Sequence, residues 1–493
     1  MSAQKMLINA IHPEDIRIAI TEDKELIELE VDSALSSKKL KGNIYKTKIN
    51  RIEPSLQAAF IDIGTRRNAF LQINDIHPSY YLDQKYRRTS FDKIPIKKVL
   101  KKGQEIVVQV VKEERGEKGA TLTTYLSLPG RYVVLMPGTD SRGISKRAKT
   151  PAQRQRLSKI DKELDLPKGM GVIIRTSGLD RSQTEISRDV TTQLKLWEEL
   201  LENSQTSDVP SLLYEESDTA IRVIRDYFTP EIREILIDND ATFKRVKDFV
   251  GKVMPRYRSR VKLYQENQPI FTYHNIDNQV NATMNKEVQL KSGGSIVIDT
   301  LEALVAVDVN SGKATAGMGI EETAYRTNLE AADEVAKQLR LRDLGGLVVI
   351  DFIDMINGKH RQAVEKRMKE AVSNDKARIE LGSLSKFGLM EMSRQRLRAS
   401  ITSKNTHKCS QCQGRGYVKS ADIVAMETLR KIQSAVIVGG VRLVKARLSP
   451  SPALFLLNNK KIELADLERE NNAQIFILAD SSLRPDMVEF ELD

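Results

Sequence analysis

The spacing of apolar and polar positions changes several times along the chain. Across residues 38–127 the apolar residues alternate with polar ones in short runs, at 42–46, 56–63, 68–73 and 105–111. A period of two broken by Gly64, Gly103 and Gly116 predicts four or five short strands. That many strands in so short a stretch predicts a small barrel of the OB type. Residues 78–98 break the pattern with three tyrosines and several lysines and arginines, and read as a long exposed loop.

Residues 128–220 open on a short apolar strand at 132–136, continue with a buried strand at 171–176 and reach a helix over 190–203. Leu194, Trp197, Leu200 and Leu201 form the apolar stripe of that helix. Short strands and helices alternate through 221–283. The clearest signature lies in 284–400. A hairpin brackets Gly293 and Gly294, an apolar strand runs over 304–309, and a helix over 321–341 carries Ala332, Val335, Ala336 and Leu339 on one face. Gly345 and Gly346 end it, and a second apolar strand over 347–350 runs into Asp351. Such a β-α-β crossover predicts parallel neighbouring strands. The polar stretch 401–419 holds both cysteines, and a helix over 421–437 precedes strand, helix and strand signals to the end.

Composition narrows the picture. The 493 residues include 78 Lys and Arg against 67 Asp and Glu, a formal charge of +11. That balance favours a polyanionic partner, with nucleic acid first among them. The excess gathers in runs at 142–162 and 252–262. Two cysteines cannot form a disulfide framework, which fits a reducing compartment and predicts a cytoplasmic protein. Neither a secretory leader nor a membrane span is expected, because no apolar run is long enough.

Four constellations carry candidate chemistry. Asp308 and Asp351 each end an apolar strand, where α/β sheets build their sites. Two hard oxygen ligands suit Mg²⁺, which orients and deprotonates water for attack on a phosphodiester. Asn310 lies two residues on, within reach of the phosphate or a metal water. The plainer alternative is a pair of aspartates capping turns, and Asp354 reads as a turn residue. Cys409 and Cys412, followed by Gly414 and Gly416, have the spacing of a zinc knuckle. Two thiols are half of a tetrahedral site even with His407 nearby, so a second copy of the chain is the economical source of the rest. A redox CxxC is the alternative, although the polar surroundings do not resemble a helix N-terminus. Arg175 followed by Thr176 and Ser177 can fork a terminal phosphate, or can simply end a strand. Phe60 and Phe70 lie in a basic setting with Arg66, Arg67 and Lys118, and are either stacking platforms for single-stranded bases or core residues.

Taken together these residues resemble the ribonuclease E/G family of endoribonucleases. The resemblance covers essentially the whole chain and is most specific at AVDVNSGKAT, LRLRDLGGLVVIDFIDM, KFGLMEMSRQRLR and the CxxCxGxG knuckle. The length, without a long tail after Asp493, is more like that of ribonuclease G than of full-length ribonuclease E. Two departures stand out. Ser410 occupies the place of a frequent proline in the knuckle, and the loop 78–98 is poorly matched.

The resemblance implies an α/β multidomain fold. An RNase H-like subdomain (1–37 and 221–283) is split by an S1 (OB) barrel (38–127) and a 5′-sensor domain (128–220). A DNase I-like catalytic subdomain (284–405), a zinc-link (406–419) and a small α/β C-terminal domain (420–493) follow. Residue by residue, it implies that Asp308 and Asp351 bind catalytic magnesium beside Asn310. Arg175, Thr176, Val134 and Arg378 hold a 5′-monophosphate and its base, and Phe60, Phe70 and Lys118 grip RNA. Cys409 and Cys412 share a zinc ion across a homodimer, with assembly into tetramers left open. The activity implied is magnesium-dependent cleavage of single-stranded RNA that favours 5′-monophosphorylated ends. It leaves a 5′-phosphate and a 3′-hydroxyl, in rRNA and tRNA processing and mRNA decay. The rival from another class is a non-catalytic RNA-binding scaffold.

Overall fold

Strands in this chain form where buried and exposed residues alternate, and among the described residues they make five sheets. A computed structural model describes residues 3–12, 14–33, 40–65, 67–83, 85–86, 94–114, 119–145, 150–216, 218–312, 319–373, 375–397, 400–402 and 406–493. The chain divides into two units, Met1–Lys404 and Asn405–Asp493. It is a mixed α/β multidomain protein, and among the described residues no helix is long and apolar enough to cross a membrane.

In the first unit, strands Gln4–Asn9, Asp15–Glu22 and Glu25–Ser33 share a five-stranded sheet with Ile232–Ile237 and Val261–Leu263. Gln4–Asn9 pairs in parallel with Ile232–Ile237, so the sheet is closed only after the chain has built what lies between. Inserted there is a closed five-stranded barrel of Ile44–Glu53, Ala58–Ile61, Ala69–Gln72, Thr121–Thr123 and Glu105–Lys112. Its long first strand pairs with Glu105–Lys112 through its first half and with Ala58–Ile61 through its second. A long bent strand serving two neighbours is what closes a barrel of the OB/S1 type.

The stretch 78–98 differs from the exposed loop expected of it. Tyr81, Ile94, Ile96 and Val99 are buried in the barrel core, and the Tyr80 hydroxyl accepts a hydrogen bond from the Val107 amide. The lysines between these apolar residues mask a segment that plugs one barrel end; residues 84 and 87–93 lie outside the described residues. The helix expected over 190–203 is longer, Gln183–Thr206. Ser182 and Glu185 form a reciprocal capping box that starts it a full turn and more before the apolar stripe.

The sheet that matters most for function has the order Glu287–Gln289, Ser295–Thr300, Leu304–Asn310, Gly346–Asp351, Leu389–Arg394, Ile379–Leu384. The expected crossover is present. Leu304–Asn310 and Gly346–Asp351 are parallel neighbours joined through the helix Ile320–Leu341. One face of the sheet, with Val305, Val307, Val348 and Ile350, packs on Ala331, Ala332, Val335 and Leu339 of that helix. Met368 of the helix Gly358–Ala371 completes the same core. The start of the Gly346–Asp351 strand is stapled by arginines of the RQR segment. Buried Arg394 binds Asp375 at 2.9 Å and donates to the Leu344 carbonyl, and Arg396 donates to the Gly345 carbonyl at 2.9 Å. A side chain at Gly345 would meet Arg396 Cγ at 2.8 Å, which is why the chain is bare there.

The second unit is a three-stranded sheet ordered Gln474–Ala479, Leu443–Leu448, Val488–Leu492, covered by helices Ala421–Ile437, Pro450–Asn459 and Lys461–Asn471.

Candidate active site and phosphate pocket

Sheet register decides where the acidic residues go. Asp308 lies opposite Asp351 across the parallel pair, and Asn310 is two residues on along the same face. Buried Val307 and Val309 alternate with exposed Asp308 and Asn310, so the apolar packing on one face turns the polar residues out on the other. Asn310 Nδ2 donates to Asp308 Oδ2 at 2.9 Å. Partial burial, the Asp308 charge and the Asp354 charge together push the Asp351 carboxyl up. Among the described residues no lysine, arginine or histidine pairs with any of these three aspartates. Close approach holds the strand end in place: a side chain at Gly294 would strike the Asn310 carbonyl at 2.6 Å.

The loop after Asp351 is fixed by two side chains that periodicity does not reveal. Asn328, fully buried on the helix Ile320–Leu341, donates to the Ile353 carbonyl at 2.8 Å and accepts from the Ile353 amide at 3.0 Å. Glu321, about two turns earlier, accepts from the Ile356 and Asn357 amides and is 3.0 Å from His360 Nδ1. The His360 ring stacks on Tyr325 at 4.2 Å. An amide fully buried on a helix face is the one signal that marks Asn328 in advance.

Arg175 and Thr176 follow the strand Met170–Ile174, and the Arg175 amide donates to Tyr132 O at 2.8 Å. Val134 pairs with Ile173, and both are half-buried on the outer side of their sheet. Thr176 is exposed, with its hydroxyl 2.9 Å from that of Ser145. Arg175 itself already has partners: Nη1 donates to Gly130 O and Nη2 to Asp226 Oδ1, both at 2.7 Å. The 130–133 turn that presents Gly130 is held by Asp189, whose buried carboxylate accepts from the Arg131, Tyr132 and Val133 amides. Burial opposes the charge on Asp226, but Arg225 and Arg175 outweigh it and hold this carboxyl at about 2. Lys376 donates to the Asp226 carbonyl at 2.8 Å and lies over the Tyr227 ring, and burial lowers its amine to about 7. Arg378, two residues further on, is exposed and paired with Glu380 at 2.6 Å. Of the two, it is Lys376 that meets Asp226, the partner of Arg175.

On the barrel, Phe60 and Phe70 are register partners whose rings meet edge to face at 5.8 Å. They alternate with buried Ala59, Ile61, Ala69 and Leu71, so they face outward rather than into the core. Arg51 lies over Phe60 at 5.0 Å, a neighbour the sequence did not flag. Lys118 and Arg66 lie outside the described residues.

In the second unit, Gln413, Gly414 and Gly416 take left-handed conformations that wrap the chain around Cys412. The Gly416 amide donates to Cys412 Sγ at 3.4 Å, and it and the Gly414 amide draw that thiol down from its ordinary value. Among the described residues no group of three or more His, Cys, Asp or Glu is gathered as for a metal ion. Cys409 and Cys412 are the cysteines of this segment, both free thiols.

Residues 127–397 match the model of the Ribonuclease E/G family, and residues 408–492 match "RNase E/G, Thioredoxin-like domain". The chain is 43% identical over 481 residues to ribonuclease E of Haemophilus influenzae, covering 97% of this chain and 51% of that protein. It is 42% identical to ribonuclease E of Escherichia coli over 97% of this chain and 45% of that one. To ribonuclease G of Escherichia coli it is 36% identical, over 87% of each chain. The chain thus spans about half the length of the two ribonuclease E relatives. Identity is higher to ribonuclease E, whereas length matches ribonuclease G better.

The Asp226 pairing yields a pH prediction. Its folded value of about 2 lies below the ordinary 3.8, so its contribution is complete above pH 4 and is lost as pH falls toward 2. That contribution is about 2 kcal/mol by proton linkage. Urea unfolding followed from pH 6 downward should show a steeper loss for the natural chain than for Asp226→Asn, which should be less stable at pH 6. Parallel pH profiles would refute the pairing.

Proposed function

Because the chain belongs to the ribonuclease E/G family, we propose that it is an endoribonuclease that cleaves single-stranded RNA at the Asp308–Asp351 face and takes part in RNA processing and decay. The observation that carries this reading is the register that sets two carboxylates side by side, exposed, without a described cationic partner. Two facing carboxylates and a neighbouring amide oxygen are a hard-oxygen donor set open to water, which fits Mg²⁺. Asp308 and Asp351 would hold that ion. When bound, magnesium supplies a Lewis acid that makes water nucleophilic at neutral pH and offsets charge on the phosphodiester. Asn310 keeps one Asp308 oxygen engaged and so orients the carboxylate. No side chain here acts as a covalent nucleophile, and hydrolysis leaves a 5′-phosphate and a 3′-hydroxyl.

Outward-facing Phe60 and Phe70 suit stacking of unpaired bases, with Arg51 at their edge and Lys118 as a phosphate contact. Arg175 and Thr176 would receive a 5′-monophosphate, with Val134 beside the terminal base and Arg378 drawn in from the catalytic module. Cys409 and Cys412, with amides aimed at the Cys412 sulfur, are suited to a structural zinc shared between two protomers. A cytoplasmic location fits these roles.

Asp351→Asn should keep its affinity for a fluorescent single-stranded oligomer and lose cleavage by about a thousandfold or more with Mg²⁺ present, the scale of an essential electrostatic group. Binding without cleavage by the natural chain would instead mark an RNA-binding scaffold. Arg175→Ala should cut 5′-monophosphorylated and 5′-hydroxyl oligomers at similar rates while internal cleavage persists; an unchanged preference would place the pocket elsewhere. Metal analysis should return about half a zinc per chain, and an intramolecular disulfide without metal would favour redox chemistry.

A further inference from the structure

The KFG turn carries a large aromatic side chain that nothing in the fold uses. Phe387 is 81% exposed, at the turn between strands Ile379–Leu384 and Leu389–Arg394. Its backbone is nonetheless tightly held. Ser385 Oγ accepts from the Phe387 and Leu389 amides at 3.2 and 3.1 Å, and Arg361 donates to the Ser385 carbonyl at 2.6 Å. Gly388 has φ +75, accepts from the Phe352 amide at 3.1 Å, and has no room for a Cβ, which would meet Phe352 O at 2.8 Å. Leu389, two residues on, is the register partner of Asp351. The turn that carries this exposed ring is thus fixed beside the strand end that bears Asp351. At the far end of the 352–357 loop, Ile356 is 95% exposed while Glu321 holds its amide. Phe387 and Ile356 therefore bracket the loop that carries Asp354.

We propose that Phe387 is the platform on which an RNA base next to the scissile phosphate stacks, so that the phosphate is presented to Asp308 and Asp351. This inference rests on the endoribonuclease reading above. A ring on a preorganised turn loses little freedom when a base covers it, and every base has a π-face, so stacking positions the strand without reading sequence. A second copy of the chain is the other candidate occupant. A two-fold contact there would bring Asp308, Asp351 and Asp354 of both copies toward one another, which charge opposes.

The test is single-turnover cleavage of a single-stranded RNA oligomer with Mg²⁺, using substrates that each carry one abasic nucleotide near the cut. Phe387→Ala should lower kcat/KM by about tenfold, within the range for loss of one base stack. One abasic position should slow the natural chain equally and add nothing to the loss in Phe387→Ala. Phe387→Trp should restore the rate. Independent losses at every abasic position, or an unchanged rate in Phe387→Ala, would overturn the stacking role while leaving the endoribonuclease reading standing. So would a change in sedimentation mass of Phe387→Ala with intact kinetics, which would assign the ring to a second copy. No cleavage of the intact oligomer by the natural chain would remove the underlying reading itself.

Discussion

Everything at the acidic face depends on one register, the parallel pairing of Leu304–Asn310 with Gly346–Asp351. That pairing sets Asp308 beside Asp351, and their repulsion works against it. At strand spacing in a water-like medium the repulsion is about 1 kcal/mol. The same register buries Val305, Val307, Val348 and Ile350 against the helices, each worth about 1.5–3 kcal/mol. Burial wins by a wide margin. A slip of one residue would reverse both faces at once, exposing the valines and burying the acids. Partial burial first, and the charges of Asp308 and Asp354 after it, raise the Asp351 carboxyl, a small local penalty that the fold tolerates where it sets two carboxylates together.

More of the chain's basic excess is engaged by its own carbonyls and carboxylates than its runs along the sequence suggest, although the 252–262 run stays largely exposed. In the 252–262 run, Arg260 donates to the Pro230 and Ile232 carbonyls, Lys262 pairs with Glu234, and Arg258 lies against Gly251. Buried Arg131 caps the carbonyls of Arg225 and Phe228, and burial lowers its guanidinium to about 10. Arg225 is enclosed by Glu216 and Asp226. A guanidinium has five donors in a fixed fork, so it can tie several carbonyls that a sheet edge leaves open. Net charge thus overstates the surface available to a polyanion.

What was legible in the sequence is what period and spacing encode. The hairpin at Gly293–Gly294, the crossover helix and the two strand-end aspartates follow from local alternation, which left Phe60 and Phe70 open between core and surface. The tethers do not. Glu321 and Asn328 act on a loop some 25 to 36 residues away, and nothing in their own segment points to it. The plug at 78–98 escaped because its apolar residues are scattered among lysines in no regular period. Arg378 matched a phosphate contact by its place in the sequence; its side chain here pairs with Glu380, while Lys376 meets the Asp226 carbonyl, a contact that spacing did not announce.

If Arg175 receives the 5′-monophosphate proposed for it, its occupation by Asp226 bears on how the site would discriminate among RNA ends. An incoming group does not meet a bare guanidinium; it competes with a carboxylate already 2.7 Å away. A hydroxyl end carries no charge with which to replace that partner. A terminal monophosphate carries between one and two negative charges and three acceptor oxygens, enough to engage the guanidinium and the Thr176 hydroxyl together. Asp226 does not become an uncompensated buried charge in the exchange, because Arg225 stays bound to it through two nitrogens at 3.2 Å. Under the proposed 5′-end reading, the second arginine would therefore ease the exchange, and the competition would set a threshold that an uncharged end does not cross.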